Sequence, residues 1–506
     1  MDLNLITHWI PESGRVVEWK ATDASARAAA DAPVGPALPT TMQERHLRRA
    51  QLTANKGETQ SPWIGIAFDF PGRLDVDAMT RTLERYILRH DTLHTWFSFE
   101  DPEADPTDAA NRVRRHIVPS DSIELVAHQG DLLSAPAQVR DHVAARFAND
   151  TSALGWPSFV LGVIEHYDST QPAGPGDSFT LFHGVDHAHS DLQSMVLMFA
   201  ETRILYEAEL AGIEPELHDP GSYLEYSRRE REKAAALTLA SPEVQGWIGH
   251  LTRSGGTFPS FPLDLGASDA PKPAIGSRFD LADADECEQF GAVCKANGAN
   301  FIGGVFAALA IAEHELVGRE RYIALSPVST RNDPQFDWSQ GWFINLIPVG
   351  FELGDATTFT GLAQRAQEAY HSGKTLGEVS AQQVVDTVLA HGGHDSVAQP
   401  TTLTPPPIVS YIDARRLPQT EDYASTRATM IVGGKATQIA SIWINRVLEG
   451  TWIAISHPDT EEAYRSVAAY AGRLRTIMKT VAREGDFTLS PFIPANSEST
   501  TATGVK

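Results

Sequence analysis

Two periodicities divide this chain. Stretches where apolar and polar residues alternate predict half-buried strands, and stretches where apolar residues return every three or four positions predict helices. Trp63 to Phe70 alternates as a strand, Pro71-Gly72 turns it, and Asp75 can cap a helix whose Val76, Met79, Leu83 and Ile87 form one apolar stripe. Before it, PTTMQERHLRR predicts a helix beginning near Thr40 or Thr41, read as a docking element. After it, RHDTLHTWF (Arg89 to Phe97) ends in a second strand. Cationic side chains suit a helix C-terminus, so a structural role is favoured over a catalytic one for His90, Asp91 and His94. Asp101 to Asn111 is acidic and loop-like, and strand and helix signals follow at Arg114 to Pro119 and Ala137 to Asn149.

The sharpest change of period lies in SFTLFHGVDHAHSDLQSM, Ser178 to Met195, reached through the turn-rich Gln171 to Asp177. Phe179 and Leu181 alternate with polar neighbours, and from Asp191 onward Leu192, Met195, Val196 and Phe199 recur at helical spacing. A strand therefore hands over to a helix across His187-Ala188-His189-Ser190-Asp191. Strand ends of this kind deliver side chains from a rigid sheet to a crevice.

Beyond Tyr206 come His218-Asp219-Pro220-Gly221, the charged helix SRREREKAAALTLA and the Pro/Gly/Ser-rich run Ser254 to Pro273, the expected boundary between two lobes. SRFDLADADECEQFGAVCK then echoes GRLDVDAMTRTLERYILRH, each a strand end, an Asp turn and an amphipathic helix. Phe301 to Leu316 predicts a buried helix, Arg321 to Val328 a strand, and Phe359 to His371 a helix. Thr402 to Pro407 reads as a rigid turn. Ile408 to Ile412, Ile439 to Arg446 and Thr451 to Ser456 read as strands, Glu461 to Arg483 as a closing helix, and Ser490 to Lys506 as a disordered tail.

At 506 residues with 42% apolar content, the chain can bury two substantial cores. Its 65 acidic against 41 basic residues give a net charge of −24, which disfavours nucleic acid and leaves at most peripheral membrane contact. No apolar run reaches the ~18 residues of a bilayer span. The N-terminus lacks the basic and apolar regions of a signal peptide, so a cytoplasmic location is expected, with association to the inner face of the membrane allowed. Cys287 and Cys294 stand seven apart on one helix, too far for a bridge, and read as packed thiols.

Three readings compete for the central stretch. Ser190 or Asp191 can be a helix N-cap, with the histidines as satisfied polar residues. His187, His189 and Asp191 form HxHxD, a spacing used by dinuclear metal hydrolases, although Leu192 stands where that family has a further His. In the third reading His187 is a general base and Asp191 fixes the loop around it.

Four patterns in a fixed order resemble the condensation-domain superfamily of chloramphenicol-acetyltransferase-like acyltransferases. LDVDAMTRTLERYILRHDTLHTWF is similar to that family's early helix and RHExLRT segment, and DHAHSDL to its HHxxxDG signature. STRNDP followed by GWFINLIPV is similar to its later Arg-bearing segment and GxFxNxxPV stretch. ITHWIPESGRVVEW, RHDTLHTWF and ISHPDTEEAYRSVAAYAGRL look most like the mycobacterial polyketide-synthase-associated acyltransferases of acylated trehalose lipids.

The resemblance implies an α/β (α+β) fold of two acetyltransferase-like lobes in a V with a tunnel between them. The lobes are expected at 1–215 and 273–489, with 216–272 as linker and crossover and 490–506 as tail. The family's second His falls on His187 and its Asp on Asp191, while Asp186 replaces its first His and Leu192 its Gly. Arg331 is the expected partner of Asp191, Trp342 and Asn345 are expected at the tunnel wall and crossover, and His183 and His189 as wall or packing residues. Asn345, within an apolar run, must find a partner, which favours bonding across the crossover. Ser329 or Thr330 is a candidate for holding the oxyanion.

The chemistry fits independently. Acyl transfer from a thioester to an alcohol needs a base for the hydroxyl proton, which a neutral imidazole supplies. GxSxG is absent and neither Cys lies near a His, so direct attack without an acyl-enzyme is expected. The leading expectation is transfer of a long-chain acyl group, from acyl-CoA or a carrier-protein thioester, to a hydroxyl of a trehalose-like glycolipid. No cofactor or metal is expected; a polyketide synthase or carrier domain is an expected partner, and the protein is expected to act as a monomer. The alternatives are a catalytically silent module that recruits a synthase partner, for which Asp186 and Leu192 speak, and the metal hydrolase.

Overall fold

A computed structural model describes residues 2–57, 62–168, 170–253, 259–267, 270–391, 406–434 and 436–492. Its strands, in chain order, are β1 Asp2–Leu5, β2 Gly14–Ala21, β3 Trp63–Pro71, β4 Thr95–Phe99, β5 Val113–Ile117, β6 Leu125–Leu133, β7 Phe159–Glu165, β8 Ser178–Asp186, β9 Ala274–Asp283, β10 Arg321–Ser329, β11 Ile344–Glu352, β12 Val409–Asp413, β13 Thr429–Val432, β14 Ser441–Val447 and β15 Gly450–Pro458. The helices are α1 Asp23–Ala30, α2 Thr41–Asn55, α3 Val76–Arg89, α4 Pro136–Asp150, α5 Leu192–Ala211, α6 Tyr223–Ala235, α7 Pro242–Arg253, α8 Ala284–Ala296, α9 Phe301–Val317, α10 Phe359–Lys374, α11 Ala381–Ala390 and α12 Glu461–Glu484. The described residues form two compact units, one from Met1–Leu237, Ser329–Ile344 and Arg416–Gly434, the other from Thr238–Val328, Asn345–Arg415 and Lys435–Lys506.

In the first unit a seven-stranded sheet runs in the order β1-β13-β3-β8-β7-β2-β6. Its pairs are antiparallel except β1 with β13. One face buries Phe68, Phe70, Phe179 and Leu181 against Met79 and Leu83 of α3 and Met195 and Phe199 of α5. The other buries Trp63, Val160 and Phe182 against Val139, Val143 and Phe147 of α4. Because both faces are covered, β8 is buried along nearly its whole length and its C-terminal end is held rigidly.

Gly65 and Gly184 lie opposite each other across β3 and β8. A Cβ on Gly184 would stand 2.4 Å from the Phe147 ring and one on Gly65 2.7 Å from it, so the glycine pair makes the slot that the ring fills. Gly184→Ala is expected to cost about 1–3 kcal/mol through overpacking, read as a lower urea midpoint.

The second unit carries the sheet β12-β14-β15-β9. Its core packs Ile442, Ile444, Ile453 and Ile455 of that sheet with Phe290 of α8, Val305 and Leu309 of α9, Leu362 of α10, and Leu474 and Met478 of α12. From Phe301 to Ala312 helix α9 carries no polar side chain, and all of that stretch but Ile302 is buried. Among the described residues no single helix is long and apolar enough to cross a membrane; the bent pair α8–α9 passes by length and composition, yet α9 lies inside the core. Cys287 and Cys294 of α8 are buried free thiols, and burial pushes the Cys294 pKa up to about 12.

The two units are not the contiguous lobes expected at 1–215 and 273–489. The span expected as a linker, 216–272, contains α6 in the first unit and α7 in the second, and the division falls at Leu237/Thr238, ahead of the Pro/Gly/Ser-rich run. Residues 329–344 and 416–434 return to the first unit, and β13, only four residues long, supplies a strand between β1 and β3. The turn expected at Thr402 to Pro407 lies outside the described residues up to 405, and the expected tail does so from 493 onward.

Candidate active site

The handover from β8 to α5 occurs at the anchored end of the central strand. The Asp186 amide donates to the Ser158 carbonyl and the His187 amide to the Pro62 carbonyl, each 3.0 Å, so the chain leaves the sheet tied on both sides. His187–His189 form one 3-10 turn, after which Asp191 caps α5 by accepting the Ser194 amide at 2.8 Å. The helix ends at Gly212, whose φ of 65° is left-handed.

Asp191 is fully buried and accepts five hydrogen bonds. Its Oδ1 takes the Ser194 amide, the Ser194 hydroxyl at 2.8 Å and Arg331 Nη2 at 3.0 Å, and its Oδ2 takes Arg331 Nη1 at 2.8 Å and the Phe343 amide at 2.9 Å. Arg331 is thus bidentate across 140 residues of sequence. Its guanidinium also lies 4.2 Å from the Phe343 ring centre and donates to the Ser194 hydroxyl and the Ser339 carbonyl. Burial works against the Asp191 carboxylate, but the Arg331 charge, its hydrogen bonds and the two amides outweigh it and hold the pKa below the ordinary carboxylate value.

His187 is half-buried, with its ring 4.2 Å from the Trp342 ring and tilted 36° to it. Nδ1 has no hydrogen-bond partner among the described residues. Burial first, and then the charge of His46, lower its pKa against the opposing pull of Asp191 and Asp186. Burial thus favours the neutral imidazole, the form able to accept a proton.

Helix α2 does more than dock. Its capping box at Thr40 and Gln43 turns Gln43, His46 and Leu47 inward. Gln43 Nε2 donates to the Ala188 carbonyl at 2.6 Å, and His46 Nε2 meets Asp186 Oδ1 at 2.7 Å. Asp186 Oδ1 also accepts the Ala188 amide at 2.8 Å. Sequence reading passed over His46 and Gln43. The available signal was their i, i+3 spacing on the apolar face of a helix beginning at Thr41, together with an acidic residue where a family His stands.

The other expected residues scatter. His189 is buried with Nδ1 3.1 Å from the Thr92 hydroxyl and its ring stacked on Phe97; His183 is buried on β8, and burial holds each at a pKa of about 4. His187, His189 and Asp191 thus turn to Trp342, Phe97 and Arg331 and do not converge, and no group of His, Cys, Asp or Glu among the described residues is arranged to hold a metal. Leu192 opens α5 half-buried against the core of the first unit. Asn345 lies on β11 in the second unit, where its Nδ2 donates to the Gly377 carbonyl of the same unit at 3.0 Å. The Thr330 hydroxyl is taken by Tyr226 at 2.6 Å, and the Ser329 hydroxyl accepts the Arg331 amide. His90 pairs with Glu201 and Asp91 accepts the Tyr223 amide at the start of α6, both structural contacts.

The chain has the condensation-domain fold, and residues 175–395 match the family described as Condensation domain. It is similar to Acyltransferase PapA3 of Mycobacterium tuberculosis (strain CDC 1551 / Oshkosh), 31% identical over 495 residues covering 96% of this chain and 98% of the relative. It is also similar to 2'-acyl-2-O-sulfo-trehalose (hydroxy)phthioceranyltransferase PapA1 of the same organism, 30% identical over 498 residues covering 96% and 89%. A solved structure of a PapA2 acyl transferase superposes with a TM-score of 0.83 at 29% identity, covering 96% of this chain and all of the other. The chain belongs to the Pap acyltransferases, a family of condensation-domain O-acyltransferases.

Proposed function

We propose that this O-acyltransferase moves a long-chain acyl group from a thioester, carried on CoA or on a carrier protein, to a hydroxyl of a trehalose-like glycolipid, with His187 as general base. The observation that carries the reading is a neutral, half-buried imidazole on a turn whose next residues are pinned by the buried Asp191–Arg331 pair. The acceptor class is supported by the relative PapA1, whose name specifies a sulfated acyl-trehalose.

His187 removes the proton as the acceptor oxygen attacks the thioester carbonyl, and returns it to the departing thiolate. Asp191 is already saturated by five donors, so it acts as a brace for the turn rather than as a proton acceptor. Trp342 covers one face of the imidazole and limits its rotation.

The test is turnover of long-chain acyl-CoA with trehalose and acylated trehalose acceptors by the purified chain, followed by mass spectrometry. Formation of no ester with any thioester donor would refute the reading. The pH profile carries a further expectation. The base must be neutral to act, and burial lowers its pKa. The acid limb of kcat/KM is therefore expected below the ordinary histidine value of about 6.5, with the rate sustained from there through neutrality.

A further inference from the structure

We propose that His46 is a positioning residue for the transfer reaction, clamping the base-bearing turn to helix α2 through Asp186 and holding Trp342 against His187. The proposal rests on the assignment of His187 as the base.

The geometry has three parts. His46 Nε2 and Asp186 Oδ1 stand 2.7 Å apart with side chains 2% and 1% exposed, so the pair is shielded from competing water. The same carboxylate oxygen accepts the Ala188 amide inside the 3-10 turn, so the pair bonds to the turn and not only to the strand end. The His46 ring meets the Trp342 ring edge-on, 5.3 Å between centres at 82°, while the His187 ring lies 4.2 Å from the same indole. Trp342 thus contacts two imidazoles, one of them anchored by Asp186. Gln43, one turn earlier on α2, adds a second tie to the Ala188 carbonyl at 2.6 Å.

This arrangement accounts for Asp186 as part of a connected network. A buried carboxylate needs hydrogen-bond partners, and α2 supplies one in His46 Nε2. The strand end alone cannot fix an imidazole whose Nδ1 finds no partner among the described residues. Packing from Trp342 and a tethered turn supply the missing constraint. Misplacement of a catalytic group by about 1 Å costs on the order of 10²-fold in rate.

The experiment compares His46→Ala, His46→Gln, Asp186→Ala and the Ala/Ala double variant at matched folding, judged by Tm. His46→Ala is expected to lower kcat about 10- to 100-fold with KM for the acyl donor within about twofold. His46→Gln places an amide donor where Nε2 stood, and is expected to restore kcat to within about threefold of the parent. The double variant is expected to lose no more than Asp186→Ala alone, because that change already breaks the link to His46. An undiminished kcat in His46→Ala, no rescue by Gln, or fully additive losses would each overturn the proposal. If His46→Ala does not fold, His46→Asn, whose amide stops short of Asp186, takes its place against His46→Gln.

A readout independent of turnover separates this proposal from the assigned reaction. The ring resonances of His187, identified by their absence from a His187→Gln spectrum, are expected to shift in His46→Ala and to return in His46→Gln. Absence of turnover in the parent counts against the acyl-transfer reading alone. Unchanged His187 resonances in His46→Ala overturn the clamp whatever the activity.

Discussion

His187→Ala is expected to lose about 10²–10⁴-fold in kcat, the range that a positioned general base contributes, while Tm stays close to that of the parent. The side chain is half-buried and its Nδ1 bonds to nothing among the described residues, so its removal breaks no buried hydrogen bond at that nitrogen. What disappears is the proton acceptor for the attacking hydroxyl. Single-turnover kinetics with a labelled acyl donor check the result; an unchanged rate in a folded variant would remove His187 from the mechanism.

The second large effect falls on stability. Arg331→Ala strips two of five hydrogen bonds and the only charge pairing seen for Asp191 among the described residues, leaving a buried carboxylate with three neutral donors and no counter-charge. Breaking a buried pair from one side costs about 3–5 kcal/mol, far more than the pair contributes relative to a well-packed apolar substitute. The sign with pH follows from the depressed pKa of Asp191. The pair's contribution is present above the unfolded carboxylate value of about 3.9 and is lost as pH falls through the lower folded value. The deficit of Arg331→Ala is therefore expected to be largest near neutrality and to shrink in acid, measured by urea unfolding across the range. Arg331→Lys keeps the charge but not the fork, and is expected to recover only part of the loss.

Much of this was legible along the chain because it is local. Asp75, Asp191 and Thr460 each cap a helix by accepting an amide three residues on, and such a signal needs no tertiary context. The helices at 76–89, 301–317 and 461–484 declared themselves by length and apolar pattern. Strands β2, β6 and β7 did not, and β13 is too short to carry a period.

At the site, residue chemistry left a base at His187 as one of three readings, and the resemblance selected it and supplied the pairing of Asp191 with Arg331. The HxHxD spacing, by contrast, left a metal cage open. Tertiary structure fixed where these side chains go: in a 3-10 turn, residues two apart point to different sides, so His187 and His189 diverge, one toward Trp342 and the other toward Phe97. It also decided what Asp186 does. The Ala188 amide two residues on is a local partner, but His46 stands 140 positions earlier and reaches Asp186 only because the sheet and α2 pack together. Caps and periodicities are written in neighbouring residues, whereas the partner of a buried charge depends on which elements the fold brings into contact.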